Sequence, residues 1–425
     1  MITRDEARVL DAIDDAALVT SLQRLVRTPS VTGGDAEHEL QHAAARDLRD
    51  AGLDVDLWQL DLQALYADPR FPGIEAPRTE GYGVVGVTPG EGPPALVLQG
   101  HVDVVPTGDL DSWPGRDAFS GNVVDGILFG RGACDMKAGV AVNLEVARAI
   151  QRSGVSLERP LAIHSVVSEE DGGLGAFATL VRGHGGDAAV ITEPTSGRIV
   201  VANAGALTFE IRVPGRAAHA SMRQDGVSAF EAFLPVHAAI RALETERNAH
   251  PNPLFEGNPL PYAIAIGRIR AGDWASSVPD LLVAEGRLGV QLGEEPDVAR
   301  AALERSIAEA CAHDPWLRDH PVEVTWPGGQ FAPGSIDAEH PLIAQTSDAL
   351  EAVTGRGAPT RAAAPYGSDL RLYAGIGGIP TLHYGPGDVR YAHAPREQVT
   401  ITEVLESARA LALLAARRCG LSAHR

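Results

Sequence analysis

The stretch Ala95-Leu96-Val97-Leu98-Gln99-Gly100-His101-Val102-Asp103 decides the fold: four apolar residues are followed, after Gln99, by Gly100, His101 and, two positions on, Asp103. A short continuous apolar run of this kind reads as a strand buried on both faces. The same pattern recurs downstream. Residues 161–167 run into Ser168-Glu169-Glu170-Asp171, residues 188–192 into Glu193-Pro194, and 379–383 form a fourth run. Between the first two lies a helical pattern, 138–150, closed by Ser153-Gly154 with the glycine near the expected C-cap. Strands alternating with helices predict an α/β layered domain on a mostly parallel sheet. In such sheets ligands bind outside the carboxyl ends of the strands, so the polar residues at three of these ends are expected to converge.

Working outward, Ala7, Leu10, Ile13, Leu18, Leu22 and Leu25 are spaced like an amphipathic helix over 5–27, and 36–51 reads as another. The middle of the chain behaves differently. Residues 207–213 (LTFEIRV) alternate apolar and polar, 226–245 are helical, 263–270 and 281–290 alternate again, and 297–312 are helical. This β-α-β-β-α order predicts a small α+β sandwich inserted into the α/β domain. The expected division is 1–203, 204–315 and 316–425, with the first and last segments forming one domain. The Ala/Arg-rich segment 401–418 reads as a surface helix.

Composition narrows the partners. The 425 residues carry a net charge of −20, with 44% hydrophobic and 22% charged residues, as globular proteins do. An acidic balance argues against nucleic acid, whose phosphates need a basic surface. It also requires that an anionic substrate be caught by local cations. Cys134, Cys311 and Cys419 form no paired framework, the first residues contain no apolar h-region, and no apolar run approaches the ~18 residues of a membrane span. A soluble cytoplasmic protein without a membrane partner is the expectation. Lys137 is the single lysine.

The chemistry lies at the strand ends. Gly130-Arg131-Gly132-Ala133-Cys134-Asp135-Met136-Lys137 precedes the 138–150 helix, which puts Asp135 near a helix N-terminus, where the dipole favours an anion. His393 sits in Ala392-His393-Ala394-Pro395. His101, Asp135, Glu170, Glu193 and His393, with Asp103 and Glu169 beside two of them, offer imidazole and carboxylate without thiolate, a set that suits Zn²⁺, Co²⁺ or Mn²⁺. Two histidines and three carboxylates exceed a one-zinc site. They suit two metals sharing a carboxylate, the ~3.5–4 Å pair that polarises a carbonyl and activates a water. A further carboxylate must take that water's proton and pass it to the leaving nitrogen, and the neighbours Glu169 and Glu170 can divide these roles.

The motifs GHVDVVP (100–106), GRGACDMKAG (130–139), SEED (168–171), ITEP (191–194) and AHAPREQ (392–398) resemble, in order and spacing over nearly the whole chain, a family of dinuclear zinc hydrolases. That family includes acetylornithine deacetylase, succinyl-diaminopimelate desuccinylase, aminoacylase and carboxypeptidase G. The resemblance implies His101 and Glu193 on one metal, Glu170 and His393 on the other, and Asp135 bridging. It implies Glu169 as general base and Asp103 as the residue that orients His101. It also implies a catalytic domain split by a lid or dimerisation domain, which the insertion at 204–315 looks like, and hence a homodimer through that domain. His219 in AAHAS (217–221) resembles the lid histidine that stabilises the tetrahedral oxyanion, often from the partner subunit. Arg287 resembles a lid arginine that holds a substrate carboxylate, and Arg371 in GSDLR (367–371) a second clamp. Ser276 stands where many members have a lid asparagine, and Arg396 replaces the asparagine after the final His-X-Pro, with Glu397 kept. The implied activity is removal of an N-acyl group from an amino acid or similar small carboxylate, acetylornithine deacetylase first. A desuccinylase or other deacylase or deformylase follows, then a carboxypeptidase or dipeptidase acting on short peptides.

Overall fold

At the centre of the computed structural model, which describes residues 1–422, the strand Leu96–His101 is buried along its whole length. It pairs in parallel with Leu161–Val166 on one side and with Ala189–Ile191 on the other, and Thr381–His383 continues the parallel set beyond Ala189–Ile191. These are the four apolar runs of the sequence, and the α/β class is as expected. Tyr82–Val87 and Asp54–Gln59 extend the sheet antiparallel beyond Leu161–Val166. The register matters for the site. His101 lies opposite Val166 and Gln99 opposite Ile191, so Glu169, Glu170 and Glu193 leave the sheet at the same end as His101.

The chain divides into two compact units. The larger comprises Met1–Val201, Ser335–Ala362 and Asp369–Arg425. Its helix Ala138–Ser153 closes on Gly154 in the left-handed region (φ 67°), as its sequence predicts. Two expectations fail here. The 5–27 pattern is two helices, Arg4–Asp11 and Asp15–Arg27, because Asp14 caps the second by accepting the Ala17 N–H while its own N–H goes to the buried Glu145 carboxylate. The helix Ile401–Cys419 is a core element, not a surface one: Val404, Ala408, Leu411, Leu414 and Ala415 are buried. Its alanines let it lie close against Ala138–Ser153 and Pro341–Thr354.

The smaller unit comprises Ala202–Gly334 and Ala363–Ser368. Gly205–Pro214 pairs antiparallel with Leu281–Val290 over its full length, and Ile264–Ala271 forms the far edge. Alternation buries Leu207, Phe209, Ile211 and Val213 against Val236 and Ile240 of the helix Ala229–Arg247 and Leu303 and Ile307 of Pro296–His313. The unit runs past the boundary expected at 315, because Glu323–Thr325 and Gln330–Phe331 also pair with Gly205–Pro214. Strands this short carry no readable periodicity. Among the described residues no helix is long and apolar enough to cross a membrane.

Candidate metal centre

His101 ends the central strand with its ring fully buried. Its Nδ1 lies 2.9 Å from the Asp103 carbonyl oxygen and 3.5 Å from Asp103 Oδ1. A carbonyl can only accept, so Nδ1 carries a hydrogen, and Nε2 is the ring atom left for a metal ion. Around Nε2 stand Asp135 Oδ1 at 3.3 Å, Glu193 Oε1 at 3.7 Å and Glu169 Oε2 at 3.9 Å. His393 faces the other half of the cluster, its Nε2 being 3.0 Å from Glu170 Oε2 and 3.5 Å from Asp135 Oδ2. Asp135 thus turns one oxygen to each histidine. His393 is 53% exposed and holds a left-handed backbone (φ 59°).

The neighbouring backbone positions these groups. Asp103 accepts the N–H of Glu169 at Oδ1 (3.2 Å) and, at Oδ2, the N–H of Glu170 (3.1 Å) and the Thr32 hydroxyl (3.1 Å). It therefore ties the SEED turn to the His101 loop besides orienting the ring. Lys137 is buried and donates from Nζ to the Thr28 carbonyl at 2.8 Å, and burial pushes its pKa down to about 7. Arg371, expected to meet substrate, is buried and donates to the Gly172 carbonyl at 2.7 Å. A Cβ on Gly173 would meet Asp369 Oδ1 at 2.6 Å, so the 369–371 segment packs directly on the turn that follows the acids. A buried ion pair, Arg78 to Glu37 at 3.2 Å, carries no sequence motif.

Electrostatically the cluster is short of positive charge. Burial first, and then the Asp135 charge, raises the carboxyls of Glu170 and Glu193, while Glu169 is raised well above the usual range by burial and the acids around it, against the pull of His101. For Asp135 burial pulls upward as well, but the close approach of His101 Nε2 and the charges of both histidines outweigh it and leave the carboxyl lowered. Burial would lower His101, yet Asp103 and Asp135 hold it well above its normal value. His393 is raised to about 9, chiefly by the charge of Glu170. Among the described residues, His101 Nε2 and Glu170 Oε1 are buried atoms without a hydrogen-bond partner. The ligand atoms of His101, Asp135 and Glu170 lie within 4.8 Å of one another, as do those of His101, Glu169 and Glu193. Imidazole and carboxylate donors at this spacing fit divalent cations, which supply the missing charge.

The other two expected residues belong to the smaller unit. His219 is exposed and caps the turn Ala220–Asp225, its Nδ1 accepting the Ser221 N–H at 3.2 Å. Its segment is bridged to the 276–278 segment, where Ala220 donates to the Ser276 carbonyl and Val278 to that of Ala218, both at 2.8 Å. Arg287 is exposed on Leu281–Val290, opposite Thr208 and Ala265.

The model of peptidase family M20/M25/M40 matches residues 97–417. The chain is 26% identical over 383 residues to N-formyl-4-amino-5-aminomethyl-2-methylpyrimidine deformylase of Halalkalibacterium halodurans, covering 85% of this chain and 84% of that one. It is 29% identical over 392 residues to acetylornithine deacetylase of Proteus mirabilis, covering 88% and 90%. The solved structure of the dipeptidase Dug1p from Saccharomyces cerevisiae shares its fold, with a TM-score of 0.78 over 97% of this chain and 98% of that one, at 13% identity. With the family model spanning both halves of the larger unit, and relatives that cleave acyl groups from nitrogen, the chain belongs to peptidase family M20/M25/M40 and is a metal-dependent hydrolase of amide bonds.

Proposed function

We propose that the protein is a two-metal amidohydrolase that removes an N-acyl group from an amino acid or similar small carboxylate, with acetylornithine-deacetylase-like activity foremost. The observation that carries this reading is Asp135, whose two oxygens face two different histidines, each with its own glutamate. His101 and Glu193 would hold one ion, Glu170 and His393 the other, and Asp135 both. Two divalent ions, zinc first with cobalt or manganese as substitutes, would polarise the scissile carbonyl and acidify the attacking water.

The chain's own residues handle the proton and the orientation. Glu169 is buried with its carboxyl raised, and so can hold a proton between steps. It takes that proton at its carboxylate and returns it to the departing nitrogen. Asp103 keeps the hydrogen on His101 Nδ1. Arg371 we read as a brace for the turn ending at Gly172, in place of a second substrate clamp. Arg287 for the substrate carboxylate and His219 for the oxyanion rest on the resemblance of their segments. With one arginine fewer for a carboxylate, a deformylase acting on a formylated amine is the second reading, which the Halalkalibacterium relative also supports.

Kinetics on a panel of N-acetyl, N-formyl and N-succinyl amino acids and dipeptides tests the proposal. Glu169→Gln should lower kcat by about 10²–10⁴-fold while Co²⁺ binding stays within a few-fold. Undiminished turnover would reject the assignment of the base. A chelator-stripped protein that keeps full activity would reject the two-metal reading.

A further inference from the structure

We propose that Glu397 is a positioning residue of the metal centre: its carboxylate holds the backbone of the Asp135 turn to the loop that carries His393. The inference rests on the two-metal reading and extends it to a residue outside the ligand set.

Glu397 is fully buried and follows His393 by four residues. Its Oε1 accepts two consecutive backbone N–H groups, those of Cys134 and Asp135, each at 3.0 Å. Its Oε2 accepts from Arg131 Nη1 at 2.6 Å. Arg131 is itself buried, lies 5.1 Å over the Trp113 ring and donates from Nη2 to the Pro106 carbonyl at 3.3 Å. The main chain adds to the grip: Gly130 donates to the Glu397 carbonyl at 3.0 Å, and Gln398 pairs with Phe129. Charged acceptors make short, strong bonds to N–H groups, and burial strengthens them.

The arrangement repeats on the other side of the cluster. Asp103 follows His101 by two residues and accepts the consecutive N–H groups of Glu169 and Glu170. In both cases a histidine loop supplies a carboxylate that grips the main chain of an acidic loop, and the second N–H of each pair belongs to a proposed ligand. Because Asp135 is located through its backbone, both of its side-chain oxygens stay available to the cluster. His393 gains most, since its half-exposed ring has little packing of its own to hold it. A metal site tolerates errors of only about 0.5 Å in its ligands.

Glu397 could instead serve only to neutralise buried Arg131, and a pair of double variants separates the two roles. Arg131→Met with Glu397→Gln removes both charges and keeps the oxygen that accepts the amides. Arg131→Met with Glu397→Leu removes both charges and the acceptor. Each metal-stripped protein is titrated with Co²⁺ by calorimetry, with the visible absorption of bound Co²⁺ recorded and folding checked by circular dichroism. The Leu variant should bind Co²⁺ about 10–100-fold more weakly with an altered spectrum, and the Gln variant within about threefold of wild type. Equal affinity in the two variants would overturn the proposal. Should the Leu variant fail to fold, the single variants Glu397→Gln and Glu397→Ala carry the same comparison. Wild-type protein that bound no Co²⁺ would instead overturn the two-metal reading, and the clamp with it.

Discussion

At the scale of single residues, His164 offers a test that does not touch the metal cluster. It is buried, its Nδ1 is 2.8 Å from the Tyr373 hydroxyl, and burial, helped by the charge of His184, pushes its pKa down to about 3. An unfolded histidine titrates near 6.5. The folded chain therefore refuses a proton that the unfolded chain accepts, so the stability contributed is complete above pH 6.5 and is lost as pH falls from there towards 3. The slope reaches about 1.4 kcal/mol per pH unit at its steepest. Denaturant unfolding of metal-free protein at pH 7.5, 6.5 and 5.5 should show wild type losing stability faster than His164→Asn by roughly 1 kcal/mol across the lower step. His383, also lowered to about 3 by burial, keeps part of the slope in the variant; identical slopes would contradict the assignment. His101, Asp103, Glu169, Glu170 and Glu193 were legible because they follow apolar runs, and Asp135 and His393 because they lie in the motifs GRGACDMKAG and AHAPREQ. The burial of Arg371 against the Gly172 carbonyl was not, because a buried and an exposed arginine look alike in a sequence. Nor was the second role of Asp103, since its partners at 169 and 170 are main-chain N–H groups, which leave no mark on side-chain identity.

At the scale of elements, Gly139 connects a helix to the strand end that delivers Glu193. A Cβ there would meet the Thr192 carbonyl oxygen at 2.1 Å and its Oγ1 at 2.6 Å. The first turn of Ala138–Ser153 can lie that close to Thr192 only without a side chain. Gly139→Ala should cost about 1–3 kcal/mol of stability, read as a lowered Tm, and should also weaken Co²⁺ binding by displacing Glu193. Gly375→Ala, with no atom within 4 Å of the added carbon, is the control and should leave both unchanged. A neutral Gly139→Ala would remove the proposed coupling. The strands were legible as elements because burial on both faces demands unbroken apolar runs. The terminal helix was misread because its alanine and arginine content looks solvent-directed, whereas alanine's small size is what permits close helix packing. The break at 12–14 was hidden because it depends on Glu145, which lies far away in the chain.

At the scale of the molecule, the smaller unit carries an edge strand, Ile264–Ala271, with Ile269 51% exposed, and a helix that leaves Phe230 and Leu234 each 52% exposed. Open edges and large exposed apolar side chains favour association, and we expect a homodimer through this unit. Light scattering after size exclusion should give twice the chain mass, and Leu234→Glu with Ile269→Lys should give the monomer mass. A wild-type monomer at micromolar concentration would reject the dimer. The insertion was legible from the change of periodicity near residue 207, but its end was not, since Glu323–Thr325 is recognised only by its pairing. The order of the cluster along the chain also bears on how the protein is made. His393 lies 292 positions after His101, and the whole of the smaller unit lies between them. Synthesis proceeds from the N-terminus, with domains folding as they emerge. On the two-metal reading, the second half of the cluster therefore waits for a segment translated after the smaller unit, and loading with both ions would be a late event of biosynthesis that a chain terminated before His393 would not reach.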